Sequence, residues 1–275
     1  MTERQPHLRE VGAGPAVICL HSNASHGGQW RALMARLATR HRVLAPDAWG
    51  SGSSPEWPSD RTISLTDEVA FLEPVFARAG EPFDLVGHSY GAAVALIAAM
   101  QRPQRVRSLV LYEPTLFSLI EADGPTPNEA DGIRHAVAAA AAALDAGDRP
   151  LAAKCFIDYW MGAGAWDATP PERQPAISNA TVNVRRWAHA LMTEPTPLSA
   201  LASLDIPVLL MTGGRTTTSA LGVAKRLLRV LPQVEHRTFD KLGHMGPITH
   251  PEPVNEAIEA FLRRTELPRP GAETA

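Results

Sequence analysis

The sequence has few cysteines, little excess charge and no long apolar run. Its two cysteines, Cys19 and Cys155, form no Cys-x-x-Cys pair, which disfavours a disulfide framework or a cysteine-ligated metal. The formal net charge is −3 with both signs intermixed, so nucleic acid and anionic membranes are poor partners. No apolar run reaches the roughly 20 residues of a membrane-spanning helix, and the first residues lack the apolar core of a signal peptide. These absences predict a cytoplasmic protein with reduced thiols.

Short apolar runs and segments of helical spacing alternate along most of the chain. Its 275 residues are enough to bury a substantial core. The predicted strands cover residues 16–20, 42–46, 83–86, 108–112, 206–211 and 235–239, and the predicted helices cover 29–39, 65–79, 92–100, 221–231 and 251–263. Strands that alternate with helices predict an α/β fold with a mostly parallel central sheet flanked by helices.

The alternation stops in the middle of the chain. An alanine-rich helical stretch at 133–144 is followed by Gly- and Pro-marked turns, and no run there is typical of a strand. The predicted division is a core of residues 1–115 and 201–266, a helical insertion of residues 116–200, and a disordered Pro/Gly/Glu tail of residues 267–275.

The segment Gly87-His-Ser-Tyr-Gly91 lies between a predicted strand and a predicted helix. A Gly-x-Ser-x-Gly pattern in that context places the serine on a sharp turn with its hydroxyl exposed. The glycines are needed because a Cβ two residues either side of the turn would collide with the neighbouring elements. The helix that follows directs free N–H groups and its positive dipole end towards the serine. The sequence therefore predicts that Ser89 is a nucleophile.

Three further loops have a matching order and spacing: His21-Ser22-Asn23, Asp47-Ala-Trp-Gly-Ser-Gly-Ser53 and Gly243-His244-Met-Gly-Pro247. Together with the serine segment they make the chain resemble the α/β-hydrolase family over nearly its full length. The resemblance implies the α/β-hydrolase fold, with residues 116–200 as a helical cap, and chemistry that needs no cofactor or metal.

Among the 10 histidines, His244 is the predicted catalytic base. It follows the last predicted strand, and in a parallel sheet that loop opens on the same edge as Ser89. A neutral imidazole there can take the serine proton and return it to the leaving group. His88, His21 and His250 are interpreted as structural residues.

An oxyanion needs hydrogen-bond donors, and the resemblance implies two backbone N–H groups for it. One belongs to Tyr90, the residue after the nucleophile, and the other to Asn23. The chain has Ser22 where the family more often carries glycine. The side chain of Asn23 is either a further donor or a loop-stabilising amide, and the sequence leaves both open.

The acid is where the chain departs from the family. The usual position, in the loop at 213–218, contains only glycine, arginine and threonine, and no Asp or Glu occurs between residues 206 and 234. Threonine cannot stabilise an imidazolium as a carboxylate does. Glu113, at the end of the strand after the nucleophile helix, is therefore the predicted acid. Asp240, close in sequence to His244, and Asp47, in a loop that the family uses structurally, are the alternatives.

These residues predict a serine hydrolase, acting through an acyl-enzyme on a carboxylic ester or lactone of a modest apolar acid. Hydrolysis of a C–C bond in a β-diketone-like compound is the alternative within the fold, and a small-molecule receptor is the alternative outside catalysis. The expected partner is a small apolar or aromatic molecule, and the protein is expected to be a monomer or a homodimer. Trp160, Trp166 and Trp187 either line its pocket or pack within the cap.

Overall fold

A computed structural model describes residues 4–266, and its centre is a seven-stranded sheet. In chain order the strands are β1 (Leu8–Val11), β2 (Ala16–Leu20), β3 (Arg42–Pro46), β4 (Phe83–His88), β5 (Val106–Tyr112), β6 (Val208–Gly213) and β7 (Val234–Phe239). Their order across the sheet is β1-β3-β2-β4-β5-β6-β7. Only β1 runs antiparallel to its neighbour among the described strands. The tail predicted to be disordered, 267–275, lies outside the described residues.

Helices connect the strands. In chain order they are α1 (Arg31–Leu37), preceded by a 3₁₀ turn at Gly27–Trp30, then α2 (Leu65–Phe71), α3 (Glu73–Ala79), α4 (Tyr90–Gln101), α5 (Ser118–Glu121), α6 (Asp131–Asp145), α7 (Arg149–Met161), α8 (Gln174–Thr181), α9 (Val184–Met192), a 3₁₀ turn at Leu198–Ser203, α10 (Thr218–Val230), α11 (Gly246–Thr249) and α12 (Pro251–Glu266). The described chain between β5 and β6 contains helices and turns but no strand. The bounds of a separate cap unit there remain a prediction.

The sheet is covered on both faces, as the parallel pairing of its inner strands requires. Successive side chains of a strand point to opposite faces, so Leu85 and Val86 of β4 enter different core clusters. The Val86 cluster packs under α1 and α12. The Leu85 cluster packs under α2, α3, α4 and α10 and continues into the helices between β5 and β6. The inner strands are therefore mostly apolar, with Asp84 and Ser108 as buried exceptions, and this is why the sequence pattern identified them.

Two elements differ from the sequence-based prediction. The single helix expected over 65–79 is two helices that meet at Leu72, because Pro74 lies in the first turn of α3 and cannot donate a helical hydrogen bond. The edge strand β1 was not predicted, because Leu8-Arg-Glu-Val is half-exposed and too short to show a clear alternation. Neither difference changes the order of the inner strands.

The carboxyl ends of the parallel strands bring distant loops to one edge of the sheet. Ser89 follows β4, Glu113 follows β5, and the loop that begins at His21 follows β2. The loop between β7 and α11 contains His244. The topology thus places the residues that the sequence predicts as catalytic at one edge of the sheet.

The first turn of α4 lies directly against the end of β2. A Cβ built on Gly91 would lie 2.3 Å from the carbonyl oxygen of Leu20 and 2.5 Å from that of His21. Both obstacles are backbone atoms, so this close approach fixes the distance between the serine turn and the loop after β2.

We expect Gly91→Ala to lower the free energy of unfolding by about 3 kcal/mol or more, because the added methyl group meets carbonyl oxygens that cannot move aside without shifting β2. Gly147→Ala is the control: Gly147 has a φ of +78° and open space around it, so only left-handed backbone strain is added, about 1–2 kcal/mol. Urea unfolding of both variants measures the difference. Equal losses would contradict the tight contact of α4 with β2.

Candidate active site

Ser89, His244 and Glu113 form a continuous hydrogen-bonded chain at the carboxyl edge of the sheet. The Nε2 atom of His244 lies 2.9 Å from the Ser89 hydroxyl oxygen, and its Nδ1 atom lies 2.6 Å from Oε2 of Glu113. A carboxylate can only accept, so Nδ1 carries the proton and Nε2 is free to accept from the serine hydroxyl. All three side chains are buried. The structure thus brings together the three residues that the sequence predicts as catalytic.

The loop in the family's usual acid position holds Glu113 instead of supplying an acid. The N–H of Gly213 donates to Oε1 of Glu113 over 2.6 Å, and the hydroxyl of Thr216 donates to Oε2 over 2.6 Å. With the Nδ1–H of His244, the carboxylate receives three hydrogen bonds while being 0% exposed. The sequence indicated the missing acid but gave no sign that Gly213 and Thr216 would be donors.

Asp47 and Asp240, the two alternative acids, are not hydrogen-bonded to His244 in the part of the chain that the structure describes. Asp47 is buried and accepts from the N–H of Gly27 over 2.7 Å, from the N–H of Ser53 over 3.0 Å and from the guanidinium of Arg9 over 2.7 Å. It therefore organises its own loop. Asp240 is exposed, and within the described residues its carboxylate makes no hydrogen bond to an imidazole.

A second buried histidine connects the serine turn to the loop that carries His244. The Nε2–H of His88 donates to the carbonyl oxygen of His244 over 2.8 Å, so its Nδ1 is the acceptor for the amide of Gln29, 3.0 Å away. The Oε1 atom of Gln29 accepts from both the N–H and the hydroxyl of Ser22. Burial holds the pKa of His88 well below its usual range, which keeps the ring neutral. This chain of contacts joins the loops after β2, β4 and β7.

The two backbone N–H groups predicted as oxyanion donors, those of Tyr90 and Asn23, have no acceptor in residues 4–266. Tyr90 is the first residue of α4, so its N–H has no acceptor within the helix. The N–H of Ser22 is taken by Gln29, whereas that of Asn23 donates to no acceptor among the described residues. Ser22, Asn23 and Ser89 line the same cavity.

Trp160 of α7 stacks on the imidazole of His244. The two ring centroids are 3.8 Å apart and the planes are inclined by 21°. The sequence suggested Trp160 as a cap aromatic without assigning it a contact, since nothing in a sequence aligns α7 with the loop after β7. On the other side, the hydroxyl of Tyr112 donates to the carbonyl oxygen of Gly243 over 2.8 Å.

Ser89 lies in a cavity of about 910 Å³. Its floor includes Ser89, His244 and the loop at 22–26, and apolar residues of α7 and α8 form one wall: Phe156, Ile157, Trp160, Met161 and Ile177. Trp166 and Trp187 are buried in the core cluster instead. A serine beside a base and free N–H donors, in a cavity with an apolar wall, can perform acyl transfer.

In residues 4–266 no group of three or more His, Cys, Asp or Glu side chains is placed to hold a metal ion. None of the helices in that range has both the length and the apolar character needed to cross a membrane.

Glu68 of α2 is a buried carboxyl group beside the predicted oxyanion donor. Its Oε1 accepts from the hydroxyl of Tyr90 over 3.0 Å, and its Oε2 accepts from the N–H of Trp49 over 3.3 Å. Burial raises the pKa of this carboxyl from 4.5 to about 7, against the opposing effect of the two hydrogen bonds. The folded protein therefore keeps a proton that the unfolded chain releases in weak acid.

Comparison with known proteins identifies relatives along most of the chain. The family described as alpha/beta hydrolase fold matches residues 15–251. A pimeloyl-[acyl-carrier protein] methyl ester esterase of Chromobacterium violaceum is 25% identical over 256 residues, covering 93% of this chain and 97% of its own. A 2-hydroxy-6-oxo-2,4-heptadienoate hydrolase of Pseudomonas putida is 27% identical over 265 residues, covering 94% and 92%.

Among solved structures, a hydrolase from Oleispira antarctica superimposes with a TM-score of 0.77 at 17% identity, covering 94% of this chain and 95% of its own. At that identity the similarity concerns the fold alone. It agrees with the sheet order and connections described above and confirms the predicted fold class.

The raised pKa of Glu68 predicts a pH dependence of stability. The contribution of the protonated carboxyl is complete below about pH 4.5 and is lost as the pH rises through about 7, because only the folded state holds the proton in that window. We expect the free energy of unfolding to fall by up to about 3 kcal/mol from this group between pH 5 and pH 8. Urea unfolding at both pH values measures the slope.

Glu68→Gln should flatten that slope, whereas Glu172→Gln, which changes an exposed carboxyl, should keep it. An unchanged slope in Glu68→Gln would show that this proton is not retained on folding.

Proposed function

Because the chain belongs to the α/β-hydrolase family, we propose that it is a serine hydrolase that cleaves a carboxylic ester or a lactone through an acyl-enzyme on Ser89. The observation that carries the proposal is the pair of contacts of His244, 2.9 Å to the Ser89 hydroxyl and 2.6 Å to Glu113. A base that bonds both a nucleophile and a buried carboxylate is the arrangement that acyl transfer requires.

The proposed reaction begins when Nε2 of His244 takes the hydroxyl proton and the oxygen of Ser89 attacks the carbonyl carbon. The carbonyl oxygen becomes an oxyanion, held by the N–H groups of Asn23 and Tyr90. The carboxylate of Glu113 stabilises the imidazolium that forms. The bond from carbon to the leaving oxygen then breaks, and His244 returns its proton to that oxygen. His244 then takes a proton from water, which attacks the acyl carbon. The bond from that carbon to the Ser89 oxygen breaks, and His244 returns the proton to this oxygen as the acid leaves.

The acyl group of the proposed substrate is of modest size and apolar. The wall formed by α7 and α8 supports this, because apolar surface stabilises a bound acyl chain by about 25 cal/mol per Å² buried. We propose that residues 116–200 act as a cap. The stacking of Trp160 on His244 supports that role, since it places a side chain of this segment directly on the proposed base.

Hydrolysis of a C–C bond in a β-diketone-like compound is the second candidate. It is favoured by the relative from Pseudomonas putida, a 2-hydroxy-6-oxo-2,4-heptadienoate hydrolase that covers 94% of this chain. A non-catalytic receptor is disfavoured, because a receptor has no need for a serine hydrogen-bonded to a base. The esterase from Chromobacterium violaceum supports the ester proposal.

We expect the wild-type protein to hydrolyse p-nitrophenyl esters or lactones and to be labelled at Ser89 by a fluorophosphonate, located by peptide mass spectrometry. Ser89→Ala should lose both activities, because no other group can form the acyl-enzyme. Its free energy of unfolding should change by less than about 2 kcal/mol, because only one oxygen is removed. Ester hydrolysis retained in Ser89→Ala would refute the assignment, and turnover of β-diketones alone would favour the second candidate.

Glu113→Gln should lower kcat by up to about 10⁴-fold, because an amide NH₂ facing Nδ1 favours the wrong tautomer of His244 and leaves the imidazolium without a counter-charge. Steady-state kinetics on the best ester measures the loss. Asp240→Asn is the matched control and should stay close to wild type. A large loss in Asp240→Asn with an active Glu113→Gln would make Asp240 the acid.

A further inference from the structure

The side chain of Asn23 makes no hydrogen bond to the part of the protein that the structure describes. Its acceptor atom Oδ1 is buried without a partner, and its donor atom Nδ2 makes no hydrogen bond to residues 4–266. An unpaired buried polar atom costs about 1–3 kcal/mol of stability. The side chain therefore does not act as a loop-stabilising amide, which was the other interpretation that the sequence left open.

The loop around Asn23 is held by its neighbours instead. The Nδ1–H of His21 donates to the carbonyl oxygen of Ser22 over 2.7 Å, and the Nε2 of His21 accepts from the N–H of Ala48 over 3.0 Å. Ser22 donates twice to Gln29. With these contacts in place, the loop needs nothing from the carboxamide of Asn23, which lines the cavity beside Ser89.

The backbone next to Asn23 is strained. Three non-glycine residues in the described chain have positive φ angles: Ala24 at 51°, Ser89 at 56° and Glu113 at 45°. The last two are the proposed nucleophile and acid. Such conformations cost about 1–3 kcal/mol each and concentrate at functional sites. Ala24 thus shares its unusual backbone conformation with the proposed nucleophile and the proposed acid.

We propose that the carboxamide of Asn23 is a catalytic group, whose N–H donates to the oxyanion of the tetrahedral intermediate. This side-chain N–H adds to the backbone N–H groups of Asn23 and Tyr90. Its role as a donor rests on the acyl-transfer function proposed above. Its ligand is the former carbonyl oxygen of the ester, which carries a full negative charge only after Ser89 attacks. A donor that is unpaired in the free enzyme breaks no protein hydrogen bond when that charge develops.

Asn23→Ala isolates the side chain, because residue 23 keeps its backbone N–H. We expect kcat/KM on the best ester to fall by about 10²–10³-fold, mainly through kcat, as for the loss of one oxyanion donor. The melting temperature should stay unchanged or rise, because the substitution removes a buried unpaired oxygen. Asn179→Ala makes the same change at an exposed residue that does not line the cavity and should leave kcat within about twofold of wild type.

Two inhibitors distinguish an effect on transition-state binding from an effect on ground-state binding. A trifluoromethyl ketone forms a tetrahedral adduct with serine, so its affinity for Asn23→Ala should fall in parallel with kcat/KM, while the affinity for the product acid should not change. An unchanged kcat, or losses of activity and melting temperature together, would overturn the proposal.

The rate of fluorophosphonate labelling at Ser89 keeps the two proposals distinguishable. If the wild-type protein is labelled but hydrolyses no ester, the ester function fails, and a slower labelling of Asn23→Ala still supports the donor role. Equal labelling rates in wild type and Asn23→Ala overturn the donor role whatever the substrate is. Absence of labelling in the wild type overturns both.

Discussion

The buried carboxylate of Glu113 is the interaction on which the carboxyl edge of the sheet depends. A charge removed from water is stabilised only by close partners, and here the partners come from the end of β6, from Thr216 and from His244. One side chain thus joins the end of β5 to two other segments, the loop at 213–216 and the loop that carries His244. The same carboxylate also orients the imidazole of His244. The packing of this edge and the alignment of the proposed base therefore both depend on Glu113.

The position of Glu113, the proposed acid, follows from sheet geometry. β5 and β6 are neighbours, and Tyr112 pairs with Met211 at their ends. Neighbouring strands are about 4.8 Å apart, so an acid moved from one strand end to the next stays within reach of the same histidine if its side chain is longer. Glutamate supplies the extra methylene. The loop after β6 contains no acid, and its donors hold the carboxylate of Glu113 instead.

The sequence predicted what depends on local pattern and connection. Ser89 was found because a strand, a turn and a helix are all visible around it, and His244 because it follows the last strand of the alternation. The edge strand β1 was missed, since a short half-exposed segment carries little periodicity. The break at Leu72 was missed because the helical spacing of apolar residues continues through it, although Pro74 interrupts the hydrogen bonding. Contacts such as that of Trp160 with His244 need the three-dimensional arrangement, because the partners are set by packing between elements rather than by spacing along the chain.

The three strained residues have a consequence for how the protein can evolve. Ala24, Ser89 and Glu113 all hold backbone conformations that glycine adopts at no steric cost. Glycine at position 24 would therefore relieve strain without removing a polar contact, whereas glycine at position 113 would also remove the carboxylate that Gly213, Thr216 and His244 hold. A laboratory selection for heat resistance should accordingly accept glycine at position 24 and reject it at position 113.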